Sequence, residues 1–480
     1  MVSPPSLIRC VAVGEPASTS FPSYSNSRRV LEYVDGNERR FGAEDLFFST
    51  TDTKGVIRRT NRVFNSLSRY SSEELVGSPH NIIRHDDMPA GAFKLMWDEL
   101  EQGRSSCVYV LNRAKDGRDY WVFATIAPLA DGYLSVRVRP TNHAMFTPVK
   151  EIYARVRAAE RAYAEEGHGR REVAEHGAAL LTEELAKLQY HDLHNFARAA
   201  LPRELALLVV EGVRVPPRAE SDDPMSAVLQ AVAAIERDTD KLIFQLGEYQ
   251  ELINGLGSWA GGVRSVIDRA DRVGSLMEEV TSPDAESSVP TVSERVKERG
   301  AQAVEVLGQL NSSLVALYEA ASEVRFRSSM MRLHTLMAGI FAAAVLDGQE
   351  GESGDAIGDL AEAMLSDLEE LVPSCQEAAN LAERLEGDLR SVVSNLDRVK
   401  RPFQRWIRAL QDEGTQALVE GVDAEAVLSE AVAVGEQGFP ETASLAELAA
   451  KARGVVVTLD EPVIRQRVAT VRETLSHLGE

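Results

Sequence analysis

The groups most able to do chemistry are concentrated in ten residues, His80-Asn81-Ile82-Ile83-Arg84-His85-Asp86-Asp87-Met88-Pro89. Two histidines, an arginine and two aspartates stand together, and the run stops at a proline. Pro89 can open a helix, because its missing N–H costs little at the first helical position. Ala92, Phe93, Leu95, Met96 and Trp97 follow at roughly helical spacing. A polar loop at the mouth of a short amphipathic helix is a common setting for ligand binding. Bond-breaking chemistry has no comparable constellation: there is no phosphate loop, no nucleophile with a partnered base and no histidine-kinase phosphoacceptor phrase, so an enzyme is not expected.

The elements that hold this loop begin near residue 41. Residues 1–40 are rich in Pro and Ser and then charged, and a mobile N-terminal tail is expected there. Leu46 to Thr51 reads as a strand, Asp52-Thr53-Lys54-Gly55 as a turn and Val56 to Arg59 as a second strand. Ser71 with Glu74 three residues later marks a capped short helix, ended by Gly77. After the loop and its helix come three more strands, Cys107–Ala114, Tyr120–Leu129 and Tyr133–Arg139, the first pair joined by an Asp-Gly turn.

Two strands, short helices, one longer helix and three strands is the order of a PAS domain, and the likeness goes further. Asn61, the phrase Ser71-Ser72-Glu73-Glu74-Leu75-Val76-Gly77-Ser78-Pro79-His80-Asn81, the loop Arg84 to Pro89, Trp97, and Asn112-Arg113-Ala114-Lys115-Asp116-Gly117-Arg118-Asp119-Tyr120-Trp121-Val122 resemble the PAS module of Aer-type aerotaxis receptors over residues 44–141. That resemblance implies non-covalently held FAD that senses redox state, with Asn61, Arg84, His85, Asp87, Trp97, Tyr120 and Trp121 near it. Arg84 would meet a phosphate or a ring carbonyl, His85 would sense or supply a proton, and Trp97 would stack. Each residue also has a plainer use. Asp86 and Asp87 suit a helix dipole, Trp97 suits a core, Asn61 suits a helix cap, and Trp121 suits the sheet face. Haem on His80 or His85 and an empty pocket are the alternatives. Neither Cys10 nor Cys107 lies in an Asn-Cys-Arg-Phe-Leu-type phrase, so a light-driven flavin–cysteine adduct is not expected.

The net charge of −22 is unevenly placed: residues 1–150 hold 19 basic and 17 acidic residues, so the excess acid lies beyond them. A chain this acidic is a poor ligand for nucleic acid or anionic membrane. Three separated cysteines make no disulfide framework and fit a reducing cytosol. The longest apolar run, Leu336–Leu346, is too short to span a bilayer, and no secretory signal is apparent. The expected location is therefore cytoplasmic, with no membrane span.

Beyond Pro140 the pattern is helical. A helix is expected from Ile152 toward Ala200 with a break at Gly167–Gly169, and a connector at Pro202, Pro216, Pro217 and Pro224. Heptad seams follow, from Val228 to Met277, from Leu307 to Val345 and from Ala361 to Val399. The last two flank a Gly-rich acidic turn near 347–356 and should fold back as an antiparallel hairpin. Small seam residues near the turn suit a four-helix section. The missing helices would come from the 228–277 helix or from a second chain, and a homodimer is favoured. The hairpin resembles the cytoplasmic bundle of methyl-accepting chemoreceptors. Its tip, Gly339-Ile340-Phe341-Ala342-Ala343-Ala344-Val345-Leu346-Asp347-Gly348-Gln349, lacks that family's polar contact phrase. Coupling to the receptor kinase and adaptation by methylation are therefore not expected. His168, His176, His191 and His194 read as a solvated face rather than a metal site.

The expectation is thus an α+β PAS domain (five-stranded antiparallel sheet with short helices) over 41–142, followed by a long all-α antiparallel coiled-coil bundle over 143–435. Short helices fill 436–480. Its function would be that of a cytosolic sensor relaying a flavin's redox state to an unknown signalling protein. The other readings are a haem gas sensor and a ligand-free dimerisation scaffold.

Overall fold

The computed structural model describes residues 33–35, 37–243, 245–246, 289–349, 353–412 and 459–478, with positions 429, 432, 447 and 450. The seam residues from Tyr249 to Met277, the tail before Tyr33 and most of 413–458 lie outside the described residues.

The five expected strands are β3 (Phe47–Asp52), β4 (Ile57–Thr60), β5 (Ser106–Arg113), β6 (Asp119–Leu129) and β7 (Gly132–Val138). They form one antiparallel sheet in the order β4-β3-β7-β6-β5. Two short strands, β1 (Tyr33–Asp35) and β2 (Glu38–Arg40), pair with each other and reach β6 through Glu38 and Asp119. They lie where the sequence suggests a tail. Asn37 donates to Asp119, and Arg39 is buried against the Leu67 carbonyl and Asp116, which fixes them. Asp52 closes the β3–β4 turn by accepting from the N–H groups of Lys54 (2.8 Å) and Val56 (2.9 Å), and Gly55 takes the positive φ of 77° that this turn requires. Between β4 and β5 run α1 (Arg62–Ser68), α2 (Ser72–Leu75, with the Ser71/Glu74 capping box), a 3₁₀ turn at His80–Ile83 and α3 (Ala90–Glu101).

The side chains of β3, β5, β6 and β7 alternate between two covered faces. Ser49, Asn112, Ala124 and Arg137 point toward α3, while Phe48, Tyr109, Phe123 and Val136 point toward the helical half. An antiparallel sheet usually keeps one wet face. Here both are dry, and Tyr109, Phe123, Leu134 and Val136 are fully buried. At about 1.5–3 kcal/mol for each large apolar side chain, this second face is a major stabilising contact of the molecule.

The covering helices are α4 (His143–Glu165), α5 (Arg170–Lys187) and α6 (Leu193–Val210). The helix expected to run toward Ala200 therefore breaks twice. The second break falls where Gln189 adopts φ 67° and Asp192 caps α6 through the Asn195 N–H at 2.7 Å. α6 continues through Pro202 because Ala197, Ala200, Leu201, Leu205 and Leu208 are all buried in one apolar stripe. That burial outweighs one missing helical hydrogen bond.

α7 (residues 224–243), α8 (Val289–Leu346), α9 (Ser353–Asp412) and α10 (Glu461–Leu478) make the bundle. α8 and α9 fold back on each other as a hairpin, with Leu317, Val324, Met331, Ala338, Met364, Leu371 and Leu385 at its buried seam. Val228, Val232 and Ile235 of α7 and Ile464, Val468 and Val471 of α10 are buried beside it. Arg332 of α8, wholly buried, pairs with Asp240 (2.7 Å) and Glu236 (3.3 Å) of α7, and Arg467 of α10 pairs with Asp238. Among the described residues, the start of the 228–277 helix, one of the two expected sources of the further helices, lies beside the hairpin near its turn. One segment, Ser312–Leu346, is long and apolar enough to cross a membrane, but 78% of its window is buried in this bundle.

The turn end of the hairpin docks on the sheet. Phe341 meets Phe48 edge-on at 5.1 Å, Arg59 of β4 pairs with Asp359 (2.7 Å) and Asp355 (3.2 Å), and the Ala130 N–H donates to Glu362 (2.9 Å). His194 is not on a solvated face. It lies between Glu99 of α3 (3.7 Å) and Glu323 of α8 (3.3 Å). Burial pushes the Glu323 carboxyl upward, but His194 and Arg327 outweigh it and hold the pKa at about 2.

Candidate functional site

Between α3 and the inner face of the sheet lies a cavity of about 270 Å³. Its apolar wall is α3, which contributes Phe93, Met96, Trp97 and Leu100 at helical spacing. The opposite wall mixes polar groups, Ser49 and Thr51 of β3, Asn112 of β5, and Ser135 and Arg137 of β7, with Val110, Ala124, Ile126 and Tyr133. The 3₁₀ turn and the residue after it supply His80, Asn81 and Arg84, and the β3–β4 turn supplies Lys54 and Gly55. Among the described residues, three cations thus line the cavity and no carboxylate does.

Each cation is held differently. Lys54 is exposed. Arg84 Cζ sits over the Phe93 ring at 3.9 Å from its centroid, and burial lowers its pKa against the opposing pull of Glu160. Arg137 is 6% exposed, and burial lowers its pKa to about 10. One of its terminal nitrogens, Nη2, reaches Ser49 Oγ (3.1 Å) and His80 Nε2 (2.7 Å), while Nη1 has no hydrogen-bond partner. A guanidinium only donates, so His80 Nε2 is the acceptor in that contact. Burial and the neighbouring Arg137 charge hold the His80 pKa well below the ordinary histidine value.

Of the residues singled out by the sequence, Arg84 and Trp97 line the cavity. Trp97 stands edge-on to Tyr133 at 5.3 Å and covers Gly55, where an added Cβ would lie 3.4 Å from the indole. The other five lie outside it. Asn61 caps α1, accepting from Phe64 N–H (3.0 Å) and Phe48 N–H (3.1 Å) while donating to the Leu46 carbonyl (2.8 Å). His85 Nδ1 accepts from the Asp87 N–H (2.9 Å), and its Nε2 sits 3.2 Å from the Asp119 carboxylate with Arg113 alongside. Asp87 pairs with Arg161 of α4 at 2.5 Å, and that hydrogen bond lowers its pKa. Tyr120 stacks on Phe47 at 5.8 Å behind the cavity lining. Trp121 is on the opposite sheet face against Phe146 and Tyr153 of α4.

The sequence reading missed Arg137, Ser49 and Asn112 as site residues. For Arg137 a signal existed: it shares the strand phase of Tyr133 and Ser135, so a charge on that phase falls on the inner face.

The signature loop is also where α4 takes hold. Glu160, 0% exposed, accepts from the N–H groups of Ala90 (2.9 Å) and Gly91 (2.8 Å), capping α3 from another helix. Arg157 donates to the Asp86 carbonyl at 2.8 Å. Asp87, the Asp86 carbonyl and the Ala90 and Gly91 N–H groups therefore anchor α4 to the helix that walls the cavity.

No family model matches the chain. Over 131 residues it is 36% identical to the aerotaxis receptor of Escherichia coli (strain K12), covering 26% of each chain. Over 68 residues it is 32% identical to Phototropin-2 of Oryza sativa subsp. japonica, covering 14% of this chain and 8% of that one. The chain thus spans about a quarter or less of the length of these curated relatives. Among solved structures, the light-state Aureochrome1 LOV domain is 22% identical, with 22% of this chain and 89% of that chain covered and a TM-score of 0.21. The PAS domain of a Colwellia psychrerythraea protein is 22% identical, with 20% and 87% covered and a TM-score of 0.19.

Proposed function

We propose that this chain, whose N-terminal domain is a PAS domain of the aerotaxis-receptor type, is a cytosolic signal-transduction protein that holds FAD in the α3 cavity and passes its redox state to the helical bundle. The observation that carries this reading is the donor set. An aromatic and aliphatic wall faces a buried guanidinium with an unpartnered N–H, and among the described residues no acid lines the space. Such a site suits a flat apolar ring bearing carbonyl groups. Ligand cavities run from roughly 300 Å³ upward, so about 270 Å³ suits the ring system, and exposed Lys54 with half-buried Arg84 suits a diphosphate outside it. A bound flavin supplies a ring whose charge and hydrogen bonding change with its redox state. The residues of this chain position it: Trp97 and Phe93 would pack on the ring, while Asn112, Arg84 and Arg137 would take its polar edge.

The relay follows from strand alternation. Ser49 and Thr51 face the cavity, and Phe48 between them faces Phe341 at the docked end of the hairpin. A shift of β3 on the ligand side is therefore felt by the bundle. A signalling protein that binds the bundle is the proposed partner, and no catalytic role is proposed. Haem is disfavoured because His80 Nε2 is engaged by Arg137 and His85 lies outside the cavity.

A visible spectrum of the purified protein tests the reading. Flavin bands are the expected result, whereas a Soret band or a colourless protein that takes up no flavin overturns it. Arg84→Ala and Trp97→Ala should each lower the flavin-to-protein ratio several-fold, read from absorbance after gel filtration. Full retention in both variants would remove these two residues from the site.

A further inference from the structure

Arg137 keeps a charge that no described residue neutralises. It is 6% exposed, yet among the described residues no carboxylate forms a salt bridge with it. Its neighbours are the Ser49 hydroxyl, the neutral His80 ring and the face of Phe64 at 5.4 Å. The Tyr120 hydroxyl, also buried and without a hydrogen-bond partner, cannot supply an anion, because burial pushes its pKa upward. Burying an unpaired charge is costly, and a buried donor left without a partner adds to that cost. The remaining place for a counter-charge is the cavity that Arg137 lines.

We propose that Arg137 makes the site prefer the reduced, anionic form of the flavin over its oxidised, neutral form, so that this residue sets the redox threshold at which the sensor responds. This rests on the flavin reading above. The balance is simple. Two electrons from a reductant such as dithionite and one proton from the solvent turn the neutral ring into a monoanion, and a second proton would neutralise it. A fixed guanidinium favours the monoanion through a charge-assisted hydrogen bond and opposes the second proton through its charge. His80 serves as a positioning residue: its Nε2 accepts from Nη2 and fixes the guanidinium at the cavity wall.

The full-length, flavin-loaded protein is titrated with dithionite at a series of pH values. In the unchanged protein the bound, reduced flavin should lose its second proton at a lower pH than free FAD in the same buffer. A break at or above that of free FAD overturns the inference without any variant. Arg137→Gln should weaken binding of the reduced form relative to the oxidised form by tenfold or more. That corresponds to a fall in midpoint potential of about 30 mV or more for a two-electron couple, with the protonation break moving upward. Arg137→Lys, which keeps the charge, should hold most of the potential. A loaded Arg137→Gln protein with unchanged potential and unchanged break also overturns the inference. A chain that binds no flavin at all sinks the parent reading instead, and the spectrum distinguishes that outcome before any titration begins.

Discussion

Glu204→Ala is expected to destabilise the protein by about 4 kcal/mol and to loosen the sensor sheet from its helices. Glu204 of α6 is 0% exposed and stands where three elements meet. One carboxylate oxygen accepts from the Tyr109 hydroxyl of β5 at 2.6 Å. The other accepts from the Thr141 N–H (2.7 Å), the Thr141 hydroxyl (2.6 Å) and the Asn142 N–H (3.1 Å) at the start of α4. Alanine would leave these donors buried without an acceptor. Each such group costs roughly 1–3 kcal/mol, less where water enters the space vacated, which sets the expected total near ~4 kcal/mol. Glu204→Gln keeps one acceptor oxygen but turns an amide N–H₂ toward groups that themselves donate, so it should rescue less than half of the loss. Urea unfolding curves measure both variants. A loss under about 1 kcal/mol for alanine would show that Glu204 does not hold this junction.

Gly91→Ala is expected to be nearly as severe, at about 3 kcal/mol, and to lower flavin retention as well. A Cβ at position 91 would lie 2.2 Å from the Gly177 carbonyl carbon and 2.3 Å from the Ala178 nitrogen. Those are backbone atoms of α5 and cannot rotate away, so the two helices must separate. Overpacking of this kind usually costs about 1–3 kcal/mol. The upper end applies because the separation also strains the Glu160 cap on Ala90 and Gly91. Gly177→Ala attacks the same junction from the other side, since its Cβ would lie 2.0 Å from Glu160 Oε1. α3 walls the cavity, so its displacement should reduce the flavin-to-protein ratio in proportion to the lost stability. Wild-type retention in a destabilised Gly91→Ala protein would mean that α5 supports the fold without shaping the cavity.

What the sequence conveyed depended on how local the cause was. The capping box at Ser71 and Glu74, the Asp116-Gly117 turn and the seams of α8 and α9 are set by residues within a few positions or by a sustained period, and all were legible. The uses of His85, Asp86 and Asp87 were not. Their partners include Arg157 and Arg161, some seventy residues away, and no local pattern announces that pairing. Glu160 and Glu204 were invisible for the same reason, because an acid in an amphipathic helix looks solvated until another element closes over it. The covering of the sheet was not legible either: Cys107 to Ala114 reads as alternating, yet β5 is buried at most of its positions, as in a sheet covered on both faces. The helices after Pro140 supply that second cover. Trp97 and Arg84 were legible as site residues because they flank the loop itself, whereas Arg137 arrives from the last strand through sheet pairing.

The docking of the hairpin by its turn gives the molecule the mechanics of a lever. The contacts of Phe341, Asp355, Asp359 and Glu362 with the sheet all lie near the turn. α8 is held again further along, where Arg198 of α6 donates to the Glu319 carbonyl and His194 sits 3.3 Å from Glu323. Beyond that second hold it runs back to Val289, roughly 30 residues and a contour of about 45 Å at 1.5 Å per residue. The fulcrum is thus at the sensor and its covering helices, and a tilt of one degree there carries the end at Val289 through about 0.8 Å. Sub-ångström adjustments around a ligand would therefore be largest where the rod ends, and that far end is the place to put a distance probe.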